Sequence, residues 1–129
     1  MIIVVDSNII ISALIKDSFI RKLIYEIWEE LILPELVLEE IKSHNEEEID
    51  NALKLILKNM RIIPDEIIKP FIKEAYEIIG KVDEKDVLFV ACALAHSESV
   101  IWSDDKDFEQ QNKILVLKTK DVKNLINSY

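Results

Sequence analysis

The sequence predicts an α/β protein: three layers, α/β/α, around a mostly parallel sheet of about five strands. Three observations predict it. Short apolar runs alternate with helical patterns along the whole chain. Those runs are continuous rather than polar-apolar alternating, so both faces of each strand should be covered. A single glycine, Gly80, and three prolines punctuate the apolar segments. No repeat, low-complexity tract or linker interrupts the 129 residues, half of them hydrophobic. That fits a single domain, 1–129, with one full core.

Residues 2–5 read as a short buried strand bounded by Asp6. Residues 8–15 and 18–30 read as helices; the second carries Ile20, Leu23, Ile24, Ile27 and Leu31 at helical spacing. A strand at 31–33 ends at Pro34. Helices follow at 35–44 and 46–59, the latter with Ile49, Leu53, Ile56 and Leu57 on one face. Residues 60–63 form a strand stopped by Pro64. A helix over about 65–79 ends at Gly80, a C-terminal cap. Residues 84–97 form a helix apolar nearly all round, hence central. Strands at 100–102 and 114–117 and a closing helix at 119–128 complete the chain.

The formal net charge is −9 and no basic run is present. A protein that simply coats nucleic acid should be basic, because phosphate contacts dominate that affinity. A site that gains positive charge from a bound metal escapes this argument. The start MIIVVDSNII has no basic region and no small-residue cleavage site, so it reads as a strand rather than a signal peptide. No uninterrupted apolar run approaches a membrane span. Cys92 is the one cysteine, so no internal disulfide can form; it reads as a buried structural thiol in a reducing cytoplasm. Richness in Ile, Lys and Glu leans towards a thermophilic source. One glycine leaves no P-loop or dinucleotide fingerprint. No Gly-x-Ser-x-Gly elbow is present, and two isolated histidines with one cysteine argue against zinc.

The acidic residues carry the chemistry. Asp6 ends a buried strand and could simply cap the next helix. Ser7 and Asn8 beside it make three polar groups at one strand end, more than a helix start requires. Glu39 and Glu40 separate on a helical wheel: Leu36, Val37, Leu38 and Ile41 define the buried face, Glu40 falls inside it and Glu39 outside. His44, one turn on, reads as a boundary residue. Asp83 reads as a helix cap, with Asp86 three residues later. Asp86 shares a face with Val90, Ala93 and Leu94, so it points inward and needs a partner. Ser103, Asp104, Asp105 and Asp107 follow a buried strand; such a cluster can be a solvated turn. In parallel sheets ligands bind beyond the carboxyl ends of strands, where Asp6 and the 103–107 cluster lie. Crossovers can make those two strands neighbours. Carboxylates gathered at one point repel unless a hard divalent cation holds them.

These motifs together resemble the PIN domain, the nuclease fold of VapC-type toxins and related ribonucleases. The resemblance covers the whole chain. It rests on Asp6-Ser7-Asn8 after the first strand, Glu40-Ile41 on a helix, Asp86 before Ala-Cys-Ala-Leu-Ala, and Ser103 to Phe108. It implies a metal-dependent endoribonuclease hydrolysing RNA phosphodiester bonds, in one branch the toxin of a type II toxin-antitoxin pair. Asp6, Glu40, Asp86 and Asp105 would be catalytic. Asp6, Asp86, Asp105 and Asp107 would hold one or two Mg²⁺ or Mn²⁺ ions, with Asn8 and Ser103 as polar supports. Water activated by the metal would attack phosphorus, leaving 5′-phosphate and 3′-hydroxyl ends. Partners implied are RNA, a second copy in a homodimer and an antitoxin protein, with no membrane. The family usually has a small residue where Asp104 stands, so the ligand is Asp105 or, by a one-residue shift, Asp104. Lys16, Arg21, Lys22 and Lys106 are candidate phosphate contacts, or solvated surface.

Two enzyme alternatives fit less well. A haloacid-dehalogenase-type phosphatase would need an acid where Asn8 stands. A receiver domain would need its phosphoacceptor after the third strand, which ends Ile62-Ile63-Pro64. The non-enzymatic alternative is a catalytically silent PIN-like module binding RNA or protein.

Overall fold

A computed structural model describes residues 1–15, 18–43, 47–80 and 84–129. Every expected strand forms: β1 (Ile2–Val5), β2 (Glu30–Pro34), β3 (Met60–Ile63), β4 (Val100–Trp102) and β5 (Val116–Leu117). They make one sheet, order β3-β2-β1-β4-β5, and every pairing is parallel. The helices are α1 (Ser7–Ile15), α2 (Ser18–Glu26), α3 (Glu35–Ser43), α4 (Glu47–Leu57), α5 (Asp65–Ile68), α6 (Ile72–Ile79), α7 (Glu84–Leu94) and α8 (Thr119–Asn127). The expected α/β/α class with a parallel five-stranded sheet is what the chain adopts.

The chain steps outward from β1 to β2 to β3, then crosses back to β4 on the other side of β1. Crossovers of the usual hand put helices of the two directions on opposite faces. α7 accordingly lies against β1, β2 and β4, while α1 packs with α2, α3 and α4. Ile3, Val4, Val5, Ile32, Leu33, Ile101 and Trp102 are buried in one continuous apolar cluster that also takes in Phe89, Val90 and Phe108. The reversal point lies between β1 and β4, where Val5 pairs with Trp102 and the Asp6 amide donates to the Trp102 carbonyl at 3.0 Å. Such switch points open a crevice beyond the strand ends.

Several elements are shorter than the sequence pattern predicts, each for a local reason. α2 stops at Glu26, because the Trp28 amide is taken by the Tyr129 hydroxyl at 3.0 Å and Glu30 joins β2. α7 stops at Leu94: the Ser99 hydroxyl takes the Ala93 carbonyl at 2.7 Å, and Glu98 turns the chain at φ 61°. β5 begins at Val116 rather than 114, since the Gln111 side chain holds both the amide and the carbonyl of Ile114. The single helix expected over 65–79 is broken into α5, a 3₁₀ turn at Lys69–Phe71 and α6. Pro70 is the cause: it lacks the amide hydrogen a continuous helix needs and its ring crowds the preceding turn. Gly80 ends α6 as expected, at φ 74°. Leu36, expected on the buried face of α3, is 44% exposed; Val37 and Ile41 are buried there as the wheel predicts. His44 and the Asp83 cap lie outside the described residues, as does Lys16. Among the described residues, no helix is long and apolar enough to cross a membrane.

Candidate metal centre

The acids of four separate segments stand at the β1/β4 switch point to different degrees. Asp86, on the first turn of α7, is 5% exposed. Asp105 and Asp107, after β4, are half-buried. One carboxylate oxygen from each of these three lies within 4.8 Å of the others. Among the described residues the converging donors are hard oxygens, with no sulfur or imidazole, which suits Mg²⁺ or Mn²⁺ rather than zinc or copper. The donor set therefore fits the ion that the sequence pattern implies.

The loop after β4 is built to aim Asp105 and Asp107 at α7. Asp105 Oδ1 accepts from the Asp107 amide at 2.9 Å, which caps the 3₁₀ turn Lys106–Gln110. Phe108, fully buried in that turn, meets Phe89 of α7 edge-to-face, with ring centroids 6.3 Å apart. The aromatic contact fixes the loop against the helix that carries Asp86. One oxygen of Asp105 thus closes the turn, and the turn presents two acids.

Asp6 stands behind this trio. It is 3% exposed, and its Oδ2 accepts from the Ser103 hydroxyl at 2.6 Å. That hydroxyl oxygen in turn accepts from the Asp105 amide at 3.0 Å. Ser103 therefore links the ends of β1 and β4 directly. Asp6 Oδ1 accepts from the Asn8 amide at 3.3 Å and lies 3.4 Å from the Ser7 hydroxyl, so Asp6 also caps α1. Asn8 takes part through its backbone, and the residue itself is exposed. Burial raises the Asp6 carboxyl above its ordinary value; the Ser103 and Asn8 hydrogen bonds oppose that shift and the nearby charge of Asp105 adds to it.

Glu40 is half-buried and Glu39 exposed, the order that the wheel predicts. Glu40 is ion-paired with Lys85, the residue preceding Asp86. It therefore reaches α7 at the rim of the site and is not one of the three converging oxygens. Lys85 was not legible in the sequence, since its role depends on α3 and α7 meeting. Asp104 points away from the trio: its Oδ1 accepts from the Thr119 amide at 2.8 Å and its Oδ2 from the Thr119 hydroxyl at 2.5 Å. Of the two adjacent acids, Asp105 is the one at the centre. Arg21 is engaged elsewhere, donating to the Ala13 carbonyl at 2.7 and 3.0 Å.

Comparison with known proteins agrees with the fold. Chains in three solved structures are similar in fold. They are VapBC2 from Rickettsia felis bound to a DNA fragment from their promoter (TM-score 0.70, 17% identity, covering 92% of this chain and 98% of that one); FitAcB from Neisseria gonorrhoeae (TM-score 0.67, 18%, 89% and 96%); and VapBC-1 from nontypeable Haemophilus influenzae (TM-score 0.67, 19%, 92% and 98%). No curated protein matches the sequence. A sequence model described as the PIN domain matches residues 4–122, nearly the whole chain and all of the acids above. The chain belongs to the PIN domain family.

Proposed function

We propose that this protein is a metal-dependent endoribonuclease, the toxin of a toxin-antitoxin pair. The observation that carries the reading is the meeting of Asp86, Asp105 and Asp107 within 4.8 Å at the sheet's switch point. Asp86, Asp105 and Asp107 would hold Mg²⁺ or Mn²⁺. When bound, the ion supplies Lewis acidity to the phosphoryl group and a nucleophile from water. Asp6 adds negative charge from behind and orients Asp105 through Ser103. Glu40 places a carboxylate at the rim, balanced by the Lys85 ammonium. The family membership and the folds of the VapBC and FitAcB chains support the toxin reading and an antitoxin protein as partner.

The reading includes a homodimer. Its support is a concavity of about 370 Å³ where Leu36, Ile72 and Tyr76 expose apolar surface. Lys69, Lys73 and Glu77 line the surface beside it, and Glu84 the concavity itself. In a two-fold interface each such lysine can face a glutamate of the second copy, twice over.

The test is cleavage of tRNA, another structured RNA and single-stranded DNA with added Mn²⁺. RNA should be cut, with 5′-phosphate ends. Asp86→Asn and Asp6→Asn should each abolish cutting while circular dichroism stays that of the folded chain. RNA binding that persists unchanged in EDTA, with no cutting at any Mn²⁺ concentration, would mark the protein as a silent module and sink the proposal.

A further inference from the structure

We infer that Asp104 is a positioning residue that holds Asp105 in the metal centre by stapling the ligand loop to α8. The inference rests on the metal reading above. Beyond Trp102 the chain leaves β1, and the hydrogen bonds of Ser103 and Asp105 run mostly inward, to Asp6 and to each other. The Ser103 amide makes one further sheet-like bond, to the Leu117 carbonyl at 3.0 Å. Asp104, between them, is bonded outward with both carboxylate oxygens. They meet the amide and the hydroxyl of Thr119, the first residue of α8.

Trp102 sets the direction of these bonds. Trp102 Nε1, from a fully buried side chain, donates to the Thr119 hydroxyl oxygen at 3.1 Å. That leaves the Thr119 hydroxyl proton for Asp104, so the chain of donation runs from Trp102 through Thr119 to Asp104. The Thr119 amide is one of the first-turn groups of a helix that have no partner within the helix. α8 is itself anchored by buried Val122 and by packing on α2 and β5. The ligand loop is thereby referred to a second element besides α7. Ligand geometry held this way is sensitive to its support.

The test compares three variants by Mn²⁺ affinity, read from the paramagnetic resonance of free Mn²⁺, and by Tm. Asp104→Ala removes both bonds and the charge; it should weaken Mn²⁺ binding about tenfold, the lower end for loss of a supporting partner. Asp104→Asn removes the charge and reverses one bond: its Oδ1 still accepts from the Thr119 amide, while its Nδ2 donates to the second lone pair of the Thr119 oxygen, whose proton turns away. Both links to α8 persist, so affinity should stay within about twofold of wild type. Asp121→Ala breaks the bond from the Lys118 amide at the same helix start; it should lower Tm and leave Mn²⁺ affinity unchanged. Wild-type affinity in Asp104→Ala would overturn the inference. So would an Asn variant as weak as the Ala variant, since two remaining links to Thr119 would then fail to hold the ligand. So would an Asp121→Ala loss equal to that of Asp104→Ala, which would assign the effect to α8 stability. A wild-type protein that binds no Mn²⁺ would instead sink the metal reading, and this inference with it.

Discussion

Asp6 carries a consequence of burial that pH can expose. An unfolded chain releases this proton around the ordinary value of 3.8, the folded chain only at higher pH. Between those two values the folded state holds more protons. Stability contributed by this group therefore falls as pH rises through that window. Above it, ionised Asp6 opposes folding of the ion-free protein. Asp6→Asn should raise Tm in EDTA more at neutral pH than below pH 3.8, by scanning calorimetry; an equal shift at both would refute the assignment. Cys92 is the complementary case. Burial pushes its thiol up to about 12, so it should resist alkylation at pH 8 in the folded protein and react once denaturant is added. At this scale the sequence was informative wherever one helix decides the answer. The wheel sorted Glu40 from Glu39 because both ride on α3. It misplaced Leu36, since an angle on a helix says nothing of whether a neighbour covers it. Asp104 was illegible for a related reason: its partner, Thr119, is fifteen residues on.

At the scale of elements, the site depends on how the loop after β4 is wedged against α7. Phe108 is that wedge, and Phe108→Ala should cost about 3–5 kcal/mol and loosen Asp105 and Asp107 together. Urea unfolding measures the first effect and Mn²⁺ titration the second; a variant that unfolds easily yet binds Mn²⁺ as wild type would refute the coupling. Gly80 ends α6 at φ 74°, ψ −146°, a region that costs other residues about 1–3 kcal/mol. Among the described residues, no atom lies within 4 Å of where a Cβ would stand, so Gly80→Ala should show that backbone cost alone in urea unfolding. Element order and type were readable because the strands are apolar runs and the helices are periodic. Element ends were less so, because side chains from distant residues set them. Tyr129 and Glu30 shorten α2, and the Gln111 amide delays β5. The break at Pro70 is different: its cause was in the sequence, and the surrounding helical periodicity obscured it.

For the whole molecule, the parallel order β3-β2-β1-β4-β5 turns separate acidic segments into neighbours. The adjacency of β1 and β4 was one of the arrangements that crossovers allow; the exact convergence required loop geometry that no local pattern encodes. A chain of net charge −9 repels phosphate, so RNA retention on filters should be weak in EDTA and appear with divalent ions. Strong retention in EDTA would instead indicate a cationic groove. The apolar concavity makes a separate prediction. Tyr76→Asp, on its exposed side, should convert the proposed dimer to a monomer in light scattering and leave the far-ultraviolet dichroism intact.

The two tryptophans are placed in opposite settings, which gives the protein a built-in optical probe. Trp28 is 78% exposed and stacked on Tyr129 at 4.1 Å, whereas Trp102 is fully buried and bonded to Thr119. Iodide should quench emission from the first and spare the second. A Trp28→Phe protein would then emit from one indole, placed beside the loop that carries Asp105. Its fluorescence would report the arrival of an ion without any attached label.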